Sequence, residues 1–157
     1  MARLFKWGAL HEIYLPEVDA EHRALFEIGD QIQHALEAGA GAEQLKPMVE
    51  ALMRCAEDHF SHEERLMKAA RYSAFAWHKA QHDGVRRRMR QFLGGLENGD
   101  PQAPAILLEY LADWIERHTA LTDRMMGASL RNHERAQHRR MLRGRPAMPP
   151  GALPHPS

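Results

Sequence analysis

The chain has little of what disulfide-rich, membrane-spanning or β-sheet proteins need. Its one cysteine, Cys55, excludes an intramolecular disulfide and is compatible with a reducing compartment. No apolar run approaches the roughly 18 residues of a membrane-spanning helix, and no signal peptide can be assembled at the start. Long stretches that alternate apolar and polar residues are also missing. We therefore expect a cytoplasmic, all-α protein without a membrane span.

The chain has no overall excess of positive or negative charge, but its last 27 residues are basic. The chain has 21 basic and 21 acidic residues, giving a formal net charge of zero. Residues 131–157 contain six arginines and one glutamate, so the preceding part is acidic by five charges. Nucleic-acid binding would need aromatic residues among the basic ones, or a recognisable motif, and the sequence has neither. We therefore expect no nucleic-acid partner.

The start of the chain differs in pattern from the rest. Residues 1–18 contain Pro16 and no sustained period, which predicts an extended arm whose Trp7 and Tyr14 pack back onto the remaining chain. Asp19 is predicted to cap a first helix that ends near Gly39.

Helical periodicity predicts three further helices. The second starts near Glu43, and the turn at 98–101 separates the third from the fourth. The pattern allows the fourth helix to continue past Arg131, and its predicted inner positions are Leu107, Leu111, Trp114, His118, Leu121 and Met125. Short links favour antiparallel neighbours, so the predicted fold is an up-down-up-down four-helix bundle with an N-terminal arm and a disordered C-terminal tail. The predicted domains are the arm at 1–18, the bundle at 19–130, and a basic helix extension with a Pro/Gly-rich tail at 131–157.

Seven histidine and acidic residues interrupt the apolar stripes at inward positions. They are His22, His59, Glu63, His78, His82, His118 and Asp123. Two pairs, His59 with Glu63 and His78 with His82, are four residues apart, which places both members on one helix face. Such groups are costly to bury unless a partner satisfies them, as a bound metal does. The set predicts a centre for two metal ions.

Competing metal motifs are excluded by the spacing. None of the three His-Glu dipeptides continues to the second histidine of a zinc metalloprotease motif, and no glutamate has a histidine three residues later. One cysteine cannot form a thiolate zinc site. A nitrogen-rich, thiol-free site with two carboxylates suits iron, with zinc or manganese as alternatives.

The spacing of Asp123 is irregular for a helix. Five residues after His118, it would lie about 140° away around a regular α-helix. We predict a π-bulge or a similar distortion between these two residues, which would bring the carboxylate inward.

The order of the seven residues resembles the hemerythrin family, and HFSHEERLM at 59–67 resembles its bacterial members. The resemblance covers about residues 7–127. It implies a non-haem di-iron centre with an oxo or hydroxo bridge. In it His78, His82 and His118 bind one iron, His22 and His59 bind the other, and Glu63 and Asp123 bridge. It also implies that Phe60, Trp114 and Ile115 line a dioxygen pocket. The segment EIYLPEVDAEH before the first ligand and Ser73 depart from the family pattern.

The implied ligand set leaves one coordination position open, on the iron with two histidines. Dioxygen can bind there, so the expected function is reversible dioxygen binding as a carrier, store or supplier rather than catalysis. The alternatives are reduction of peroxide or nitric oxide, oxygen or redox sensing through a separate protein partner that the sequence does not identify, and a purely structural role of the metals. The other six histidines are predicted to lie on the surface; they are His11, His34, His62, His133, His138 and His155.

Overall fold

Five α-helices make up most of residues 4–143, the part of the chain that the structure, a computed structural model, describes. They are α1 (Pro16–Glu37), α2 (Ala42–Ala69), α3 (Phe75–Glu97), α4 (Ala103–Arg117) and α5 (Arg124–Arg143). A short 3-10 helix (Ala9–His11) precedes α1, and a π-helical segment (His118–Asp123) joins α4 to α5. Residues 4–143 contain no strand, which confirms the all-α prediction. The predicted disordered tail lies outside the described residues.

The helices form a closed four-membered bundle. Helix α1 packs against α2 and α4, and α3 packs against the same two helices. The links between successive helices are short, so neighbours run antiparallel. The predicted up-down-up-down bundle is confirmed. The fourth helix continues through the π segment into α5, which the structure describes as far as Arg143, beyond residue 130, the predicted limit of the bundle.

Helix α1 begins at Pro16, so the prediction that Asp19 caps it is wrong. Proline suits the first helical position because its φ angle is preset and it has no N–H group to satisfy. Asp19 lies inside the first turn, buried, and its Oδ1 atom accepts a hydrogen bond from the backbone N–H of Ile13 at 2.8 Å. Asp19 therefore ties the arm to α1.

The arm packs along α1 through aromatic rings. Phe5 is buried, and a methyl group at Gly29 would lie 2.4 Å from its ring, so the ring occupies space that only glycine leaves open. The half-buried Trp7 ring meets the Phe26 ring edge-on at 5.5 Å, as expected. Tyr14 is 61% exposed, and its ring contacts the Arg131 guanidinium of α5, whose Cζ atom lies 5.5 Å from the ring centroid.

Two apolar clusters fill the bundle, one at each end. The larger includes Leu25 of α1 and Ile115 of α4. The smaller consists of Ile13, Val18, Met67, Tyr72, Met126 and Leu130. Each of the four bundle helices passes from one cluster to the other through a layer of buried histidine and acidic side chains.

Two predicted inner positions of the fourth helix are wrong. Leu121 is 62% exposed and Met125 is 52% exposed, whereas Thr122 and Met126 are buried. The π segment contains one residue more than the α-helical stretch it replaces, which moves the inward face one residue later in the sequence. A stripe extrapolated with a regular α-helical period cannot follow this shift.

Over residues 4–143, no helix combines the length and apolar character that crossing a membrane would require.

Candidate metal centre

The structure brings all seven predicted side chains together in the layer between the two apolar clusters. Each of them is buried almost completely. They form two overlapping groups, and the potential ligand atoms within each group lie within 4.8 Å of one another. One group is His78, His82, His118, Glu63 and Asp123; the other is His22, His59, Glu63 and Asp123. The two groups share both carboxylates.

Three imidazoles converge at the centre of the first group. The Nε2 atom of His118 lies 3.2 Å from the Nε2 atoms of both His78 and His82. Two nitrogen lone pairs at this distance repel each other unless a proton or a cation lies between them. One point near all three nitrogens is therefore a favourable position for a cation.

Each shared carboxylate faces both groups. Asp123 Oδ1 lies 3.0 Å from His118 Nε2, while its Oδ2 lies 3.1 Å from His22 Nε2. Glu63 Oε2 lies 3.3 Å from His82 Nε2, and Glu63 Oε1 lies 3.9 Å from His22 Nε2. The oxygens of each shared carboxylate therefore lie near potential ligand nitrogens of both groups.

The π-helical segment explains how Asp123 reaches the centre. It begins at His118 and ends at Asp123, and both residues are buried. The wider turn compensates for the angle that a five-residue spacing would impose in a regular α-helix. The predicted distortion between these two residues is confirmed.

The electrostatics of the cluster favour bound positive charge. Burial and the nearby Asp123 raise the pKa of Glu63, but the neighbouring imidazoles of His59, His78 and His82 outweigh them, and the pKa is lowered to about 2. The pKa of Asp123 is also well below its usual range, because the neighbouring imidazoles of His118, His22 and His78 outweigh its burial. Burial lowers the pKa of His78, yet the nearby carboxylates of Asp123 and Glu63 raise it to about 9. Both carboxylates therefore stay ionised.

The cluster fits a metal by its unsatisfied atoms. His22 Nε2, both oxygens of Glu63 and both oxygens of Asp123 are buried without a hydrogen-bond partner. Buried polar atoms of this kind are normally paired, so several at one point require an explanation. Cations coordinated by these nitrogens and oxygens would satisfy them together.

Three ligand histidines have outer hydrogen-bond partners that the sequence reasoning missed. His59 Nδ1 lies 3.0 Å from Glu21 Oε2, and His118 Nδ1 lies 3.1 Å from Gln81 Oε1. His82 Nδ1 lies 3.3 Å from Glu64 Oε1. Each partner is adjacent in sequence to one of the seven residues, a signal that could have found them. Such partners orient a ligating imidazole and fix its tautomer.

The three residues predicted to line a dioxygen pocket belong to the larger apolar cluster, and two of them contact ligand histidines. Phe60 stacks on His82 with ring centroids 4.2 Å apart, and Trp114 stacks on His118 at 4.4 Å. Trp114 and Ile115 also line an apolar cavity of about 20 Å³, of which Phe60 is not a lining residue. Their assignment to a dioxygen pocket stays a prediction.

Of the histidines expected on the surface, His11 is buried and His62 is half-buried. His11 is only 7% exposed and packs 4.8 Å from the Phe26 ring, while Gly8 N–H donates to its Nδ1 atom. The side chain of His62 is 18% exposed, and its Nδ1 atom lies 2.6 Å from Glu21 Oε1. Contacts with other elements of the chain, which helical periodicity does not reveal, cover His11 fully and His62 in part. His34 and His138 are exposed and His133 is half-buried, while His155 lies outside the described residues.

This fold and this cluster define a class: a four-helix bundle with a buried, potentially cation-binding layer of histidines and carboxylates. The family profile described as "Hemerythrin HHE cation binding domain" matches residues 15–130. The chain belongs to the hemerythrin family.

Individual relatives agree with the family assignment. The chain is 25% identical over 125 residues to the bacteriohemerythrin of Clostridium acetobutylicum, covering 77% of this chain and 97% of the relative. It is 30% identical over 83 residues to the bacteriohemerythrin of Aquifex aeolicus, covering 52% and 63%. Similarity extends to the hemerythrin of Siphonosoma cumanense, at 27% identity over 119 residues, covering 76% and 88%.

Proposed function

We propose that the protein holds a non-haem di-iron centre and binds dioxygen reversibly. The observation that carries the proposal is the pair of buried ligand groups that share Glu63 and Asp123. Membership of the hemerythrin family supports the choice of iron and of dioxygen. The single thiol is consistent with a cytoplasmic location, which we propose as well.

The two groups differ in their number of histidines, and this difference supports a dioxygen position at the group with fewer. His78, His82 and His118 would hold one iron, and His22 and His59 the other, with both carboxylates shared. Bound iron would supply the electrons needed to bind dioxygen reversibly. With one histidine fewer, the group of His22 and His59 is where a ligand position remains for dioxygen.

The protein's own part is to keep the centre apolar on this side. Phe60 lies 5.7 Å from the His59 ring and stacks on His82 of the other group. Trp114 stacks on His118, and Ile115 is buried. The cavity of about 20 Å³ that Trp114 and Ile115 help to line is bounded by apolar side chains. These side chains exclude water and so limit the protons that would release dioxygen in a reduced form.

The donor set favours binding over cleavage of dioxygen. Five of the seven ligands are neutral imidazoles, which stabilise high oxidation states of iron less than carboxylates do. In the described part of the chain, the carboxylates in direct reach of the ligand atoms of the centre are Glu63 and Asp123.

The proposal is tested by cycling the iron-loaded protein between anaerobic and aerated buffer. After anaerobic reduction, admission of air should produce a visible charge-transfer band that disappears when the gas is removed and returns over several cycles. A His118→Ala variant, which lacks one ligand, should not show the band. Failure to load iron, or a band that never reverses, would contradict the proposal. Rapid turnover of peroxide or nitric oxide would instead favour a reductase.

A further inference from the structure

Glu21 lies between two histidines of the neighbouring helix. It stands on α1 directly before His22, and its Oε2 atom lies 3.0 Å from Nδ1 of His59. Its Oε1 atom lies 2.6 Å from Nδ1 of His62. The Glu21 side chain is 32% exposed, and a glutamate side chain is ordinarily ionised at neutral pH. An ionised carboxylate can only accept hydrogen bonds, so both Nδ1 atoms carry hydrogen.

This tautomer has a direct consequence for the centre. With hydrogen on Nδ1, the neutral His59 ring presents an unprotonated Nε2 atom, the form that binds a metal. The Nε2 atom of His59 lies 3.6 Å from Glu63 Oε2, on the side of the shared carboxylates. Glu21 therefore selects both the orientation and the tautomer of this ring.

The outer partners of the three-histidine group differ in charge. Glu64, which contacts His82, also accepts a hydrogen bond from Arg86 Nη1 at 2.9 Å, so a guanidinium offsets its charge. Gln81, which contacts His118, is neutral. Within residues 4–143, by contrast, the hydrogen-bond partners of Glu21 are the two imidazoles. Among these outer partners, Glu21, which contacts the two-histidine group, is therefore the carboxylate whose charge no arginine or lysine offsets.

His62 holds Glu21 from the outside of the bundle. Its ring borders a groove of about 680 Å³ between the start of α1, the end of α2 and α5. Val18, Leu66 and Leu130 contribute apolar walls to this groove. Because His62 occupies one carboxylate oxygen and His59 the other, Glu21 cannot rotate without losing a hydrogen bond.

We propose that Glu21 and His62 are positioning residues for the metal position of His22 and His59, with Glu21 fixing the His59 ring and His62 fixing Glu21. The proposal rests on the proposed function, since it assigns the unneutralised carboxylate to the position at which dioxygen binds. Because His62 lines the groove, a change in the groove can affect the metal position of His22 and His59 through His62 and Glu21. Neither residue touches the reacting atoms.

The first test compares two identical substitutions on α1. In Glu21→Gln a single amide oxygen must serve the N–H groups of both His59 and His62. Glu17→Gln is the control, because it removes the same charge one turn earlier from an exposed side chain 3.9 Å from His62. We expect Glu21→Gln to weaken metal retention against a chelator by about ten- to a hundredfold. Glu17→Gln should behave as wild type.

The second test examines His62 and needs no metal. His62→Leu removes the hydrogen bond to Glu21, whereas His62→Asn keeps an N–H group near the position of Nδ1. Long-range ¹H–¹⁵N NMR of the metal-free protein, recorded at a pH at which the His59 ring is neutral, should show the Nδ1–H tautomer of His59 in wild type and His62→Asn, and a mixture in His62→Leu and Glu21→Gln. Iron loss to a chelator should follow the same order.

The outcomes separate this inference from the proposed function. If wild type binds two irons but Glu21→Gln and His62→Leu match Glu17→Gln in iron retention and in the His59 tautomer, the inference is wrong and the function stands. If wild type binds no iron, the function is wrong, and the NMR comparison alone decides the roles of Glu21 and His62. If Glu21→Gln or His62→Leu fails to fold, as judged by the dispersion of its NMR spectrum, the test relies on His62→Asn. This variant must then match wild type in iron retention and in the His59 tautomer.

Discussion

Asp123 Oδ1 lies 3.0 Å from His118 Nε2 although the two residues are five positions apart on one continuous helix. A regular α-helix would turn them about 140° away from each other. The π segment between them holds one additional residue, and the buried face continues after it at Met126 rather than at Met125. The contact and the register shift are therefore two results of the same local distortion.

Deleting one exposed residue should have opposite effects on metal retention, depending on whether the residue precedes or follows Asp123 in the sequence. Removing Leu121 shortens the π segment to an α-helical turn while Asp123, Met126 and Leu130 keep their inward register. Removing Met125 changes the helical register between Asp123 and Met126. Either Met126 and Leu130 then leave the core, or Asp123 leaves the centre. We expect the protein without Leu121 to retain its metal and the protein without Met125 to lose it, as measured by elemental analysis.

The control for these deletions is Leu121→Ala, which keeps the length of the segment. It should match wild type because Leu121 is exposed. Equal metal content in the two deletion variants would contradict the proposed role of the π segment.

The metal-free protein should become less stable as the pH rises from about 6.5 to 9. The folded-state pKa of His78 is about 9, above its ordinary 6.5, so its proton stabilises the folded protein fully below pH 6.5. The stabilisation, on the order of 3 kcal/mol, is lost as the pH rises through 9. The raised pKa of His59 acts in the same direction, since Glu63 and Glu21 outweigh the effect of its burial.

Thermal unfolding of chelator-treated protein at several pH values measures this effect. His78→Gln should flatten the dependence, and the exposed His138→Gln should leave it unchanged. Metal-loaded wild type should show a weaker dependence, because the ion replaces the proton. A metal-free midpoint that rises over this interval would rule out the predicted protonation.

Substitution of Asp123 should lower metal content more than substitution of a surface aspartate. Asp123→Asn removes one of the two carboxylates that face both ligand groups, and we expect at least half of the bound metal to be lost. Asp113→Asn changes the same chemical group on α4, where Asp113 is exposed and paired with Arg117. Elemental analysis after identical reconstitution gives the comparison; similar metal content in both variants would exclude a bridging role for Asp123.

Two glycine-to-alanine substitutions should change stability in opposite directions. At Gly29 the added methyl group would overlap the buried Phe5 ring, so we expect a loss of about 1–3 kcal/mol from overpacking. At Gly94 in α3 a methyl group meets nothing within 4 Å, and alanine should stabilise the helix by about 0.5–1 kcal/mol. Denaturant unfolding of the metal-free proteins gives both values. A stabilised Gly29→Ala would show that the arm does not pack there.

The centre was more predictable from the sequence than the edges of the fold. The two i,i+4 pairs put their members on one face by helix geometry alone, and the structure brings both pairs to one layer. Asp123 required the resemblance and a predicted distortion, because regular geometry points it elsewhere.

The wrong predictions share a physical cause. His11 is buried by aromatic rings of the arm and α1, and His62 is held by Glu21 of a different helix. Asp19 was expected to cap its helix but binds the arm instead. Contacts between elements leave no periodic trace in one sequence, so periodicity alone could not reveal them. Leu121 and Met125 failed for the complementary reason, since a regular period was extended through an irregular turn.

The layer of ligands divides every bundle helix into two apolar halves joined by a polar belt. Without cations, like-charged carboxylates and partly protonated imidazoles face one another in the middle of the molecule, and water is excluded from them. Metal uptake would convert that belt into a cross-link among all four helices, so holding the ions and folding as a single cooperative unit would become one property.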